Sequence, residues 1–239
     1  MNSNSLFKTL FGITKKDVKK TCILIPLIPK RSLEKFGIKS LVKGKLYSAA
    51  STEQFTIIKT GIGPALAGDA VLYLGETPCE NIILFGSCGL VEKEATLDIG
   101  SLVIPHTCYS FESFSDMLSN KNSTIEGIYP NKELYNALKD SADQQKITEV
   151  RCATCGSLKL EENYLPLLQD LEVDIVDMEC SAVFSAAKSI NKKVAALFYI
   201  NDIIMTKPFH LEKSKEDQQK LTSGIHSGIK ILLGSALES

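Results

Sequence analysis

The chain has 239 residues and a formal charge of −1, with 27 Lys and Arg against 28 Asp and Glu. Hydrophobic residues make up 44% and charged residues 23%, which excludes a disordered chain, a collagen and a coiled coil. Balanced charge argues against a general binder of nucleic acid or membrane surfaces, because such proteins carry a basic excess. No apolar run approaches the ~20 residues of a membrane span. At about 150 residues per domain, one large domain or two small ones would fit.

The cysteines indicate a reducing compartment. A disulfide-stapled protein is short and dense in cysteine, so seven scattered cysteines predict free thiols in a cytoplasmic protein. Cys152-Ala-Thr-Cys155 has the spacing of a redox or zinc motif, but no second cysteine pair lies near it in the sequence. We therefore expect buried, inert thiols and no bound metal.

Apolar runs of strand length alternate along the chain with segments of helical spacing. In chain order the sequence predicts strands and helices as follows: strand 22–28, strand 55–59, helix 65–75, strand 81–85, strand 101–104, helix 132–142, strand 173–176, helix 180–190, strand 194–200 and helix 213–237. The strands are continuously apolar, as expected of strands that are covered on both faces. This alternation predicts an α/β protein with a largely parallel sheet between helical layers. The polar segment 108–129 is predicted to be a loop, of a length that often forms a functional lid.

Ligands of such sheets bind beyond the carboxyl ends of the strands, so the residues after each apolar run deserve inspection. Thr60-Gly-Ile-Gly-Pro64 follows strand 55–59, and its glycines permit a tight turn that approaches a ligand. The dinucleotide fingerprint needs a third glycine where Leu66 stands, which disfavours a nicotinamide-dependent oxidoreductase. Gly86-Ser-Cys-Gly89 follows strand 81–85, and its small residues suit either an anion or sugar site or a purely structural turn.

Two carboxylates also follow apolar strands. Glu179 precedes a very apolar helix, where it could accept hydrogen bonds from sugar hydroxyls or simply stabilise the helix N-terminus. Asp202 follows the most apolar strand, where partial burial would raise its pKa toward the range of a general acid. A turn or cap aspartate is the alternative for Asp202.

Four motifs in this order resemble the nucleoside phosphorylase and nucleosidase superfamily, which includes the purine nucleoside and uridine phosphorylases. The motifs are Thr60-Gly-Ile-Gly63, Phe85-Gly-Ser-Cys-Gly89, Val176-Asp-Met-Glu-Cys-Ser-Ala182 and Asn201-Asp202. Residues 11–37 are also similar to the start of these phosphorylases. The resemblance implies a single three-layer α/β/α domain over 1–239, with a mixed, largely parallel sheet and 1–18 as a possible N-terminal arm. It also implies a homo-oligomer, a dimer or a trimer of dimers, in which a neighbouring subunit completes each active site.

The resemblance implies cleavage of the N-glycosidic bond of purine nucleosides, a reaction of nucleoside salvage. Phosphate would be a co-substrate, with no other cofactor. Asp202 would be the catalytic acid that acts at purine N7, which favours purines over pyrimidines. The remaining implied site residues are Glu179, Met178 and Ile62 for ribose, Arg31, Gly86 and Ser87 for phosphate, and Asn201, Val176, Ser157 and Leu158 for the base.

The match is incomplete at the phosphate end. Leu84 stands where a second phosphate-binding arginine is expected, and Leu10 where the neighbouring subunit would supply a histidine. A doubly charged phosphate normally takes several charge-assisted bonds. Hydrolysis of methylthioadenosine-like or adenosylhomocysteine-like nucleosides is therefore an alternative, although the nucleosidases place a Glu near Arg31 and this chain has Glu34 one turn later. A nucleoside-binding or storage protein that has lost catalysis is a further alternative.

Overall fold

The computed structural model describes residues 3–92, 96–115, 125–142 and 146–237, and its nine described strands form one mixed sheet. The strands are β1 Thr21–Ile25, β2 Val42–Lys43, β3 Ser48–Ser51, β4 Phe55–Lys59, β5 Asn81–Leu90, β6 Leu102–Phe111, β7 Ile147–Cys155, β8 Ile175–Asp177 and β9 Lys193–Ile203. Their order is β2-β3-β4-β1-β5-β8-β7-β6-β9, and β5 also pairs with β9. Strands β5, β8, β7, β6 and β9 therefore close into a ring, from which β1 to β4 extend.

Helices cover both faces of this sheet. They are α1 Ser3–Phe11, α2 Lys30–Lys35, α3 Pro64–Leu74, α4 Lys132–Asp140, α5 Leu158–Glu161, α6 Leu165–Asp170, α7 Cys180–Ser189 and α8 Lys215–Leu237. One core contains residues of α1, α3 and α7 together with Ile82 and Leu84 of β5. The other contains residues of α2, α4 and α8 together with Ile83 and Phe85. Alternate residues of β5 thus face opposite helical layers, and the predicted α/β fold, with its largely parallel sheet between helical layers, is confirmed.

Three of the ring strands, β5, β6 and β9, are longer than the sequence predicts, whereas β8 is one residue shorter and β7 is not predicted. Strand 55–59 is found as β4, but the strand predicted at 81–85 continues to Leu90, and the one predicted at 194–200 continues to Ile203. The prediction of a loop from 108 is wrong for its first four residues, because Cys108–Phe111 pairs with Cys152–Cys155 of β7. Residues 116–124 of that segment lie outside the described residues.

The N-terminal residues pack into the core. Within the predicted arm 1–18, residues 3–11 form α1, which buries Phe7 and Phe11. Their rings stack with centroids 4.3 Å apart, and Phe11 also contacts the buried Tyr47. Among the described helices, none combines the length and the apolar character needed to cross a membrane.

Helix α8 approaches the turn before β6 backbone to backbone. A Cβ atom placed on Gly224 would lie 2.1 Å from the carbonyl oxygen of Gly100. A Cβ on Gly100, whose φ is +84°, would lie 2.2 Å from the carbonyl oxygen of Lys220. Because both clashes are with backbone, neither can be relieved by a side-chain rotation, and α8 depends on glycine for this contact.

We expect Gly224→Ala to lower the free energy of unfolding by about 1–3 kcal/mol, the usual cost of overpacking. Gly234→Ala in the same helix is the control, since a Cβ there would meet its nearest atom at 3.9 Å. Alanine should raise the free energy of unfolding at that position by roughly 0.5–1 kcal/mol. Urea denaturation measures both changes. Equal midpoints for the two variants would contradict the close approach.

Candidate active site

The centre of the candidate site is a hydrogen bond between the residues that precede two helices. The Gly63 N–H, directly before α3, donates to Oε1 of Glu179, directly before α7, over 2.7 Å. Gly63 has φ +112°, a left-handed conformation that glycine adopts without strain. Helices α3 and α7 pack against each other. Their positive N-terminal ends therefore converge on the Glu179 carboxylate.

Asp177 and Thr154 fix the start of α7. The buried Asp177 carboxylate accepts hydrogen bonds from the N–H groups of Glu179 and Cys180, at 2.9 and 2.6 Å. The Thr154 hydroxyl donates to Asp177 over 2.6 Å and accepts from the Ser181 N–H over 2.8 Å. Three of the backbone donors at the start of α7 are thereby satisfied, and the Glu179 backbone is held in place.

Glu179 is only 5% exposed. Burial raises its pKa to about 7, although hydrogen bonds from the N–H groups of Gly63 and Met178 act in the opposite direction. A carboxylate in this position has lone pairs left to accept hydrogen bonds from a polyol. Met178 beside it is half-buried, and Ile62, next to Gly63, is 52% exposed.

Asp202 meets β5 across a glycine. Gly89 of β5 is in register with Asp202 of β9 and, on its other side, with Val176 of β8. A Cβ on Gly89 would lie 3.2 Å from Oδ2 of Asp202 and 3.4 Å from Cγ2 of Val176. The Asn201 amide donates to Oδ1 of Asp202 over 3.0 Å. Burial raises the pKa of Asp202, while the bond from Asn201 and the charge of Lys213 lower it.

A third acidic side chain at this end, Glu161 of α5, is absent from the predicted set. It is 8% exposed, and burial, followed by the charge of Asp202, raises its pKa to about 7. The predicted base-binding residues Ser157 and Leu158 lie just before it in the sequence. Ser157 is partly exposed, and Leu158 is 43% exposed. No spacing in this polar segment marks Glu161, since its burial depends on how α5 packs.

The predicted phosphate residues are less closely grouped. Ser87 is the exposed residue in an otherwise mostly buried β5, and it is in register with Tyr199 of β9. Gly86 is buried beside it, and Leu84 lies in the core with no exposed surface. Arg31 is exposed on α2, and none of the described contacts joins it to Gly86 or Ser87.

The cysteines are buried as predicted, but their grouping differs from the sequence spacing. The sulfurs of Cys108, Cys152 and Cys180 lie within 4.8 Å of one another, so Cys152 belongs with these two and not with Cys155. All seven cysteines are free and buried. Three sulfurs so placed are the kind of group that soft metal ions prefer, and the absence of a metal stays a prediction.

The comparisons with known proteins agree with this architecture. A family model described as the phosphorylase superfamily matches residues 18–231. Uridine phosphorylase from Vibrio fischeri is similar over 100% of both chains, at 17% identity and a TM-score of 0.82. Purine nucleoside phosphorylase from Toxoplasma gondii is similar over 95% of this chain and 93% of its own, at 19% identity and a TM-score of 0.75. AMP nucleosidase from Bacteroides thetaiotaomicron is similar over 97% of this chain and 96% of its own, at 18% identity and a TM-score of 0.73.

At these identities the structural likeness shows the fold alone. No curated protein matches the sequence significantly. The likeness to the three solved structures nonetheless extends over 95–100% of this chain.

The pKa of Glu179 leads to a prediction about stability. The folded protein keeps the Glu179 proton up to a pH of about 7, whereas an unfolded chain releases it near the usual value of 4.5. The free energy of unfolding therefore falls as the pH rises from the lower value through the higher one. Glu179→Gln keeps an oxygen for the Gly63 N–H but does not ionise, so this variant should lose less stability between about pH 5 and about pH 8.

Urea denaturation across this pH range measures the difference. Glu34→Gln, which changes an exposed carboxylate on α2, is the control and should follow the wild-type curve. If Glu179→Gln also follows the wild-type curve, Glu179 is not the buried acid described here.

Proposed function

The chain belongs to the phosphorylase superfamily, and from this premise we propose that it cleaves the N-glycosidic bond of a purine nucleoside by phosphorolysis. The products would be ribose 1-phosphate and the free base. The observation that carries the proposal is the pair of acidic groups at the sheet edge: buried Glu179 on the Gly63 amide, and half-buried Asp202 against Gly89. These two groups suit the two ends of a nucleoside.

The chemistry requires one group for the sugar and one for the leaving base. As the bond between C1′ and the base nitrogen breaks, its electron pair goes to the base, and the ribose becomes oxocarbenium-like. Asp202, whose pKa is raised by burial, donates a proton to purine N7 and so stabilises the leaving base. Glu179 accepts hydrogen bonds from the 2′ and 3′ hydroxyls and holds the ring in a reactive orientation. A phosphate oxygen forms the new bond to C1′.

The base and sugar contacts follow from the same positions. Val176 and Asp202 both lie close to Gly89, and the Asn201 amide donates a hydrogen bond to Asp202. These contacts support a role for Val176 and Asn201 at the base. Ser157 and Leu158 lie at the start of α5. Met178 precedes Glu179 and Ile62 precedes Gly63, the two partners of the central hydrogen bond. These positions support a role for Met178 and Ile62 at the ribose.

Phosphate would bind at Gly86 and Ser87, with Arg31 as its cation. The exposed Ser87 hydroxyl beside Tyr199 supports this assignment. Hydrolysis is the second candidate, favoured by one observation: position 84 carries a core leucine with no exposed surface, so β5, the strand that contains Gly86, supplies no cation. Water would then replace phosphate at C1′.

We also propose that the chain is one nucleoside phosphorylase-like domain over 1–239 that works in cytoplasmic nucleoside salvage as a homo-oligomer, a dimer or a trimer of dimers. Large apolar side chains on the surface support assembly, because Leu27, Leu46 and Ile62 are each more than half exposed. No cofactor other than phosphate is needed for this reaction.

Incubation with purine nucleosides, with and without phosphate, tests the acceptor. We expect ribose 1-phosphate and free base only when phosphate is present, with a higher KM for phosphate in Arg31→Gln. Lys188→Gln, which changes an exposed cation in the last turn of α7, is the control and should leave that KM unchanged. Free ribose formed at the same rate without phosphate would establish hydrolysis instead.

Replacement of the acid tests the role of Asp202. Asp202→Asn keeps the size of the side chain but cannot supply the proton, so kcat should fall by about 10²–10⁴-fold. Asp170→Asn at the exposed end of α6 is the control and should leave kcat unchanged. A wild-type kcat in Asp202→Asn, measured by release of the free base, would rule out the acid role.

A further inference from the structure

Residues 112–115, which directly follow β6, contact both α3 and α7, the helices that begin at the centre of the candidate site. Phe114 packs on α3, and Glu112 and Ser115 form hydrogen bonds with α7. None of the four motifs contains these residues, and the proposed chemistry gives them no role. Segment 112–115 therefore joins the two helices at a second place, beyond the hydrogen bond between the residues that precede them.

Glu112 forms the main contact with α7. Oε1 of its carboxylate accepts hydrogen bonds from the Ser181 hydroxyl over 2.8 Å and from the Ser115 hydroxyl over 2.6 Å. Oε2 accepts one from the Phe114 N–H over 2.5 Å. The Ser115 hydroxyl in turn accepts a hydrogen bond from the Ser185 hydroxyl of α7 over 3.1 Å. Hydrogen bonds to a carboxylate are roughly twice as strong as those between neutral groups, so Glu112 anchors the segment to the first turns of α7.

Phe114 forms the contact with α3. A Cβ atom placed on Gly68 would lie 2.2 Å from Cε1 and 2.4 Å from Cζ of the Phe114 ring. The ring therefore lies directly on the backbone of α3, and it packs against the core that contains residues of α1, α3 and α7. Glycine at position 68 permits this contact, which an alanine would prevent unless the ring moved.

Both contacts lie close to the residues that are proposed to hold the ribose. Ser181 lies two residues after Glu179, and both belong to the start of α7. Gly68 lies five residues after Gly63, in the second turn of α3. Because hydrogen bonds between successive turns make each helix locally rigid, a shift of segment 112–115 would change the separation of the Gly63 N–H and the Glu179 carboxylate.

We propose that Glu112 is a positioning residue for Glu179, and that Phe114 is its counterpart on α3. Together they set the separation of the two helix N-termini, and with it the hydrogen bond from Gly63 that orients the Glu179 carboxylate. Glu112 acts through Ser181 and needs no contact with the substrate. The effect of this positioning on catalysis rests on the proposed function, in which Glu179 holds the ribose.

Hydrogen exchange of the Gly63 amide, measured by NMR, tests the positioning without a substrate. Ser181→Ala removes the hydroxyl that donates to Glu112, and exchange at Gly63 should become about tenfold faster, the effect of one lost hydrogen bond to a charged group. Ser189→Ala, at the exposed end of α7, is the matched control. Its hydroxyl donates to the Ala186 carbonyl within the same helix, so exchange at Gly63 should keep the wild-type rate.

A second variant acts from the other helix. Gly68→Ala places a methyl group where the Phe114 ring lies, so the ring must move away from α3, and exchange at Gly63 should again become faster. Gly234→Ala is the control for an added methyl group in a helix, because a Cβ there would meet its nearest atom at 3.9 Å. This control should leave exchange at Gly63 unchanged.

Catalysis provides a second measurement. The KM for a purine nucleoside should rise about tenfold in both test variants, because Glu179 holds the sugar, whereas lower stability alone leaves the KM of the folded protein unchanged. Wild-type exchange at Gly63 in Ser181→Ala or in Gly68→Ala would overturn the inference, as would an equal change in the controls or a wild-type KM in both test variants. If the wild-type protein cleaves no nucleoside but exchange at Gly63 responds as described, the proposed function fails and the positioning by Glu112 stands.

Discussion

The hydrogen bond from the Gly63 amide to the Glu179 carboxylate connects the turn after β4 with the turn after β8, two strands that are not neighbours in the sheet. Burial disfavours the charged form of Glu179 and raises its pKa, whereas hydrogen bonds from N–H groups before α3 and α7 stabilise the charge and lower the pKa. The position of this carboxyl group therefore depends on both helices at once. The Thr154 and Asp177 side chains, which are hydrogen-bonded to each other, fix the start of α7.

The ring of strands explains why acidic groups converge at one end of the site. Glycine at position 89 leaves room for Asp202 close to β5, because a Cβ atom there would lie 3.2 Å from Oδ2 and would push it back by a few tenths of an ångström. The charge of Asp202 contributes, after burial, to the raised pKa of Glu161. The opposite end, around Ser87, has an exposed hydroxyl but few cations. The near-zero net charge of the chain is therefore unevenly distributed over the candidate site, where carboxyl groups outnumber cations.

Sequence reasoning located the central features because they follow apolar runs. Glu179 and Asp202 each come directly after such a run, and the carboxyl ends of strands form the ligand edge of an α/β sheet. Strand β7 is not predicted, because polar and half-exposed residues interrupt the apolar pattern in its first half. The last residues of β5 and β9 are not predicted either, because these segments contain Gly, Ser, Asn and Asp. The burial of Glu161 has no local signal, since it arises from the packing of a four-residue helix. Whether such a side chain is buried depends on tertiary packing, which the local sequence pattern does not indicate.

A crystal structure with an uncleavable purine nucleoside analogue tests the central claim most directly, namely that Glu179 and Asp202 grip opposite ends of one ligand. The account predicts ribose 2′ and 3′ hydroxyls within hydrogen-bond distance of the Glu179 carboxylate, while the Gly63 N–H bond is retained. It also predicts purine N7 within hydrogen-bond distance of Asp202. An analogue bound elsewhere, or one whose sugar lies away from Glu179, would contradict it.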